Sequence, residues 1–180
     1  MSKITHLTDV KTLRIDARKH LENGAVTAGY TADRKEVLEQ LNQALATELV
    51  CALRYRRHFF MARGIHARGV ASEFLAHSNE ELAHADSLAA RIVQLGGEPN
   101  FAPDTLSAQS HAEYVEGKTL IDMIQEDLVA ERIAIDSYRE LIRSLGADDP
   151  TTSTLLKGIL AVEEEHADEL ADLLVDLPGN

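Results

Sequence analysis

Glu81 and His84 stand three residues apart and are followed by Ala85 and Asp86; Glu163 and His166 repeat the arrangement, followed by Ala167 and Asp168. On a helix, that spacing brings carboxylate and imidazole to one face, with Cβ atoms roughly 5–6 Å apart. Oxygen and imidazole donors of this kind suit iron, manganese or zinc. Two more glutamates interrupt apolar faces. Glu48 lies three residues after Leu45 and four before Ala52, and Glu131 lies three after Leu128 and four before Ile135. Helical periodicity turns both inward.

The two halves of the chain repeat the whole pattern. Glu48 precedes Glu81 by 33 positions and Glu131 precedes Glu163 by 32, while Tyr55 and Tyr138 each follow their lone glutamate by seven. Two hairpins related by a pseudo-two-fold would gather two Glu-x-x-His motifs and two lone glutamates around one centre. A single Glu-x-x-His is ordinarily a solvated helix surface. The set resists that reading, because each inward position sits near the middle of an apolar face. Four uncompensated carboxylates in one layer would cost several kcal/mol each, or would have to protonate. Two divalent cations would balance them. One Glu from each of two helices, with Glu-x-x-His from each of the other two, is the ligand set of di-iron and di-manganese carboxylate bundles. The expected metal and catalytic residues are therefore Glu48, Glu81, His84, Glu131, Glu163 and His166.

Three nearby residues are weaker candidates. Asp127, one turn before Glu131, could hold a ligand histidine in its tautomer; a surface aspartate is the equal alternative. Tyr55 could hydrogen-bond near the centre or simply fill core. His77, one turn before Glu81, could serve as a transient metal-capture ligand. His6, His20, His58, His66 and His111 form no cluster.

Long helices must position these groups. Helical periodicity predicts helices over about 33–63, 66–95 and 117–145, and a fourth carrying Leu155, Ile159, Leu170 and Leu173. Asp33 is a plausible cap, and "GGEPN" and "GADDP" are stop signals. No strand pattern is visible. Short joints make two antiparallel hairpins. A helix of about 30 residues is about 45 Å long. The link "GEPNFAPDTLSAQSHAEYVEG" can extend to about 65 Å. The expected fold is all-α: a four-helix bundle over 33–180 with one long crossover between the second and third helices, plus an N-terminal extension over 1–32.

Composition narrows the function classes. The chain has 180 residues, a formal net charge of −12 and one cysteine, Cys51. A lone cysteine excludes an internal disulfide framework and offers no thiolate cluster for zinc or iron–sulfur binding. No apolar run approaches the roughly 20 residues of a membrane helix, and the N-terminus shows no secretory h-region. A cytoplasmic protein without membrane contact is expected. Residues 1–23 carry Lys3, Lys11, Arg14, Arg18 and Lys19 against Asp9, Asp16 and Glu22. This weakly basic tail on an acidic body predicts weak or no DNA binding.

The segments "LNQALATELVCALRYRRH", "HADSLAARIVQLGGEPN", "EDLVAERIAIDSY" and "VEEEHADEL" resemble the four helices of bacterioferritins and related ferritin-like proteins. The resemblance runs from about Asp33 to Leu174. It implies two iron ions per subunit on the six residues named above, with Glu81 and Glu163 facing both metals in some states. Manganese and zinc suit the same donors. It also implies ferroxidase activity, in which Fe(II) is oxidised with O2 or H2O2 and stored as mineral in a homo-oligomeric shell.

Three departures from the bacterioferritin pattern refine that expectation. Leu82 occupies the position where the family carries its haem-binding methionine, so haem is not expected. The sequence ends 14 residues beyond His166, too soon for the fifth short helix of 24-subunit shells. A longer, basic N-terminal extension is like that of the 12-subunit Dps type. A 12-subunit shell is thus expected ahead of a 24-subunit one. Two rivals remain: a DNA-protecting Dps-like protein, and a di-manganese catalase or di-iron oxidase that stores nothing.

Overall fold

The computed structural model describes residues 8–65 and 67–176, and all regular elements among them are helical. Six α-helices follow in order: α1 Val10–Asp16, α2 Arg34–Met61, α3 Ala67–Gln94, α4 Pro103–Gln109, α5 Leu120–Leu145 and α6 Pro150–Asp176. A single 3-10 turn, Leu21–Asn23, follows α1. The expected start of the second helix at His66 lies outside the described residues.

Local chemistry sets the helix ends. The Asp33 carboxylate accepts from the N–H groups of Lys35 and Glu36, capping α2. Thr119 and Asp122 form a reciprocal capping box on α5. That is why α5 begins at Leu120 rather than at the expected Gly117. Gly117 itself has φ +62°, and a Cβ there would meet the Met123 backbone nitrogen at 2.9 Å. Only glycine suits that corner.

α2 packs chiefly on α3 and α5 on α6, and the hairpins meet through α2–α5 and α3–α6. The link between them is the expected crossover, and it contains α4, which the hydrophobic pattern does not announce. It follows α2 from end to end. Asn100 N–H donates to Asn42 Oδ1 and His111 N–H to Thr47 Oγ1. Leu106 packs on Ala46 and Val50. Further along, Arg54 Nη1 donates to the Glu113 carbonyl, and His58 Nε2 lies 2.9 Å from the Glu116 carbonyl.

The extension also contains an unexpected helix, α1, which buries no residue. The segment after it is seated on the bundle. Val26, Tyr30 and Ala32 pack on the main apolar cluster. The Tyr30 hydroxyl donates to Asp149, and Asp149 in turn receives Arg91 at 2.8 Å.

The core is divided in a way that defines the site. One cluster includes Leu45 of α2, Leu88 of α3, Tyr138 of α5 and Ile159 of α6. A second includes Tyr55 of α2, Phe74 of α3, Ile124 of α5 and Leu170 of α6. On each helix the inward glutamate falls between its contributions to the two clusters. Glu48, Glu81, Glu131 and Glu163 therefore form a polar layer sealed on both sides by hydrocarbon.

Candidate metal centre

The four glutamates are each 1% exposed. That burial removes the solvated-surface alternative for every one of them. His166 is equally buried, and His84 is partly so. The structure brings all six expected residues into two overlapping quartets: Glu48, Glu81, His84 and Glu163, and Glu81, Glu131, Glu163 and His166. Within each quartet the candidate ligand atoms lie within 4.8 Å of one another. Glu81 and Glu163 belong to both, so either could serve an ion held in each quartet.

Each histidine turns Nδ1 toward the layer. His84 Nδ1 lies 3.0 Å from Glu163 Oε1, 3.2 Å from Glu48 Oε2 and 3.6 Å from Glu81 Oε2. His166 Nδ1 lies 3.6 Å from Glu81 and 3.7 Å from Glu163. The other nitrogen of His166, Nε2, is 2.7 Å from Glu80 Oε2. A proton held there would fix the tautomer that offers Nδ1 to a metal. Glu80 is a partner that sequence spacing alone does not reveal.

The lone glutamates are held by tyrosines from the opposite hairpin. Tyr55 of α2 donates to Glu131 of α5, and Tyr138 of α5 donates to Glu48 of α2. Tyr138 was legible only as the repeat of Tyr55. Asp127 is placed differently from the expectation that it steadies a ligand histidine. One of its oxygens receives Arg54 Nε at 2.7 Å and the other faces His58 Nδ1 at 2.7 Å. It clasps α2 to α5 and, through Arg54 and His58, to the crossover. His77 is buried, stacked on His166 at 4.0 Å between ring centroids, with Nε2 2.8 Å from Glu169. Leu82 lies 41% exposed on α3, away from the layer.

Electrostatics shows what the protein alone cannot satisfy. Burial, then the neighbouring Glu163 charge, pushes the Glu81 and Glu131 carboxyls well above the usual carboxylate range. Burial also disfavours ionised Glu163, but contacts from His166 and His84 outweigh it and bring the group to about 2. Burial opposes charge on both histidines; their carboxylate neighbours overcome it, raising His84 to about 12 and His166 to about 9. Burial and the nearby His166 instead lower His77, keeping it neutral. Without metal, protons supply the compensation.

Hydrogen bonding tests whether metal ions fit. Among the described residues, the buried side-chain polar atoms lacking a hydrogen-bond partner are Glu81 Oε1, Glu131 Oε2, both Glu163 oxygens, His166 Nδ1 and His77 Nδ1. Natural interiors rarely leave such atoms unsatisfied. Five of these six belong to the two quartets and are oxygen or imidazole donors, so the site can hold metal.

Fold and layer together define a ferritin-like four-helix bundle with a carboxylate–imidazole centre. Residues 38–179 match the family Ferritin, the ferritin-like domain, and the chain belongs to that family. It is 32% identical to bacterioferritin of Mycobacterium avium over 136 residues, covering 75% of this chain and 81% of that one. It is 33% identical to bacterioferritin of Streptomyces coelicolor over 136 residues, 75% of this chain and 77% of that one. Its structure is similar to a dodecameric thioferritin, the bacterioferritin-related protein from Bacteroides fragilis. That match has TM-score 0.77, 32% identity, and coverage of 80% of this chain and 87% of the other. Dps from Thermosynechococcus elongatus shares the fold at TM-score 0.75 and 22% identity, covering 81% of this chain and 93% of that one. No described helix is long and apolar enough to cross a membrane.

Proposed function

We propose that this chain is a subunit of an iron-storing shell and oxidises Fe(II) at the layer formed by Glu48, Glu81, His84, Glu131, Glu163 and His166. One observation carries the reading: the buried polar atoms without partners converge on two quartets that share Glu81 and Glu163. The similarity to bacterioferritins over most of the chain supports iron as the metal.

Two Fe(II) give up one electron each; O2 takes both with two protons to become hydrogen peroxide, or peroxide takes both with two protons to become two waters. The protein's own groups prepare that exchange. Tyr55 and Tyr138 orient the lone carboxylates. Glu80 holds the outer nitrogen of His166, leaving Nδ1 for metal. Glu81 and Glu163 each belong to both quartets and would help hold an ion in each. The apolar clusters on either side exclude bulk water and strengthen each electrostatic contact. The protons that compensate the carboxylates are released when divalent ions replace them.

Storage requires a closed assembly. Native mass measured together with iron content after aerobic Fe(II) loading tests it. A shell of about 12 subunits holding many irons per subunit is expected. A monomer or dimer that oxidises iron without retaining it would leave a di-iron oxidase and exclude storage.

A further inference from the structure

Helix α1 spans seven residues, is capped by Asp9 and buries none of its side chains. Isolated helices shorter than about 12–15 residues are marginal in water, so α1 needs a surface to pack on. Its apolar residues Val10, Leu13 and Ile15 are exposed, and Leu21, just beyond it, is 74% exposed. The chain turns at His20, which lies in the left-handed region at φ 52°. Leu13, Ala17, Leu21 and Val26 line one depression of about 730 Å³, large enough to receive aromatic rings.

The segment behind α1 is fixed to the bundle. Val26, Tyr30 and Ala32 pack on the main apolar cluster. The Tyr30 hydroxyl donates to Asp149, and Thr31 Oγ1 donates to Asp148 at 2.9 Å. The arm formed by α1 and the turn after it therefore leaves the bundle from a fixed point, with its apolar side uncovered by its own subunit.

A complementary surface lies on the crossover. Residues 10–20 hold Lys11, Arg14, Arg18 and Lys19 against Asp16 alone. Lys19 pairs with Asp16 at 2.7 Å, which leaves Lys11, Arg14 and Arg18 for another surface. Residues 97–117 carry Glu98, Asp104, Glu113 and Glu116 and contain no lysine or arginine. Glu116 is met by Arg57; Glu98, Asp104 and Glu113 are exposed. Between them stand two exposed aromatic residues, Phe101 and Tyr114. The arm thus offers cations around an apolar depression, and the crossover offers carboxylates around aromatic rings.

We propose that α1 and the turn after it dock on the crossover of a second copy of this chain, with Leu13 and Leu21 against Phe101 and Tyr114. The inference rests on the shell reading, which places other copies at high local concentration and makes a weak contact effective. Nucleic acid fits the arm less well. Exposed leucines have no role on a phosphate backbone, and the acidic body repels it. The acidic crossover attracts the same cations.

The test is limited trypsin cleavage at Lys11, Arg14, Arg18 and Lys19 in the intact assembly. Parent, Leu13→Ser/Leu21→Ser and Phe101→Ser/Tyr114→Ser proteins are compared. All four replaced side chains are exposed, so the fold and the rate of Fe(II) oxidation should be retained. Cleavage should be slow in the parent and about 10-fold faster in both variants, because loss of apolar anchors frees the arm. Carbodiimide coupling of Lys11 or Lys19 to Asp104 or Glu113, in assemblies mixed from light and isotope-labelled subunits, should give peptide pairs of mixed label. Equal cleavage in all three proteins, or coupling that is absent or confined to pairs of one label, would overturn the contact. Arms cut equally in all three but shielded by added duplex DNA would overturn it in favour of DNA. Light scattering separates the two readings: exposed arms on a shell of about 12 subunits overturn the arm contact alone, whereas a monomer overturns the shell with it.

Discussion

Tyr138 of α5 donates its hydroxyl hydrogen to Glu48 of α2, 90 residues away in sequence. Tyr55 of α2 makes the reciprocal bond to Glu131 of α5. Each hairpin thus steadies the lone buried carboxylate of the other, and the carboxylate layer belongs to the pair rather than to either half.

Tyr55→Phe and Tyr138→Phe should each keep the ring in its apolar cluster and remove one donor from a buried carboxylate. Loss of that bond should cost about 1–3 kcal/mol of stability in the metal-free protein. Metal affinity and oxidation rate should each fall about 10-fold, the usual consequence of losing a partner that orients a ligand. Thermal denaturation with and without Co(II), alongside oxidation kinetics, checks both effects. A variant with parent affinity and rate would show that the tyrosines only fill space.

Stability of the metal-free protein should fall as pH rises. The folded chain holds protons on His84 to about 12 and on His166 to about 9, whereas the ordinary histidine value is 6.5. Glu81 and Glu131 also keep protons above their ordinary 4.5. Folded protein therefore binds more protons than unfolded protein over this range, and unfolding free energy decreases with pH. Each retained proton contributes a slope of about 1.4 kcal/mol per pH unit. For His166 the loss runs from 6.5 through about 9. Glu163 acts oppositely, and its contribution is lost as pH falls from 4.5 through about 2. Bound metal replaces the protons, so metal-dependent stabilisation should grow from pH 6.5 to 8.5, with proton release on Zn(II) addition. Denaturant titrations across that range, with proton release followed in weak buffer, provide the check. A flat metal-free profile would contradict the protonated layer.

Asp127→Ala should damage the fold rather than the chemistry. Arg54 is 1% exposed and would be left with a buried charge lacking its carboxylate. Breaking such a pair from one side costs about 3–5 kcal/mol. Melting temperature should drop sharply, while Co(II) bound per folded subunit stays at the parent value. A selective loss of metal with parent stability would assign Asp127 to the centre after all.

The buried carboxylate layer is legible because local periodicity carries it. Glu48, Glu81, Glu131 and Glu163 interrupt apolar faces at helical spacing, and the second half repeats the first. The crossover follows from chain length, and its α4 does not, because a seven-residue helix offers too few turns for a pattern. Asp127 is misread for a different reason. Its partners Arg54 and His58 are 73 and 69 residues distant and lie outside the repeat. Glu80 and Glu169 look like ordinary surface glutamates until α3 and α6 are packed together beside His166.

Fe(II) oxidation by Glu131→Ala tests the central claim most directly, measured by stopped flow after anaerobic loading and mixing with oxidant. Removing this ligand should leave a folded subunit, since the change also relieves a buried carboxylate when metal is absent. The fast phase should fall by about 100-fold or more, beyond the usual cost of losing a mere supporting partner. Glu48→Ala should match it, and the double variant should be little worse, as expected of residues acting as a unit. The exposed control Glu140→Ala should retain the parent rate. If Glu131→Ala binds two metals per subunit and oxidises Fe(II) at the parent rate, the shared two-metal layer is not the site of oxidation.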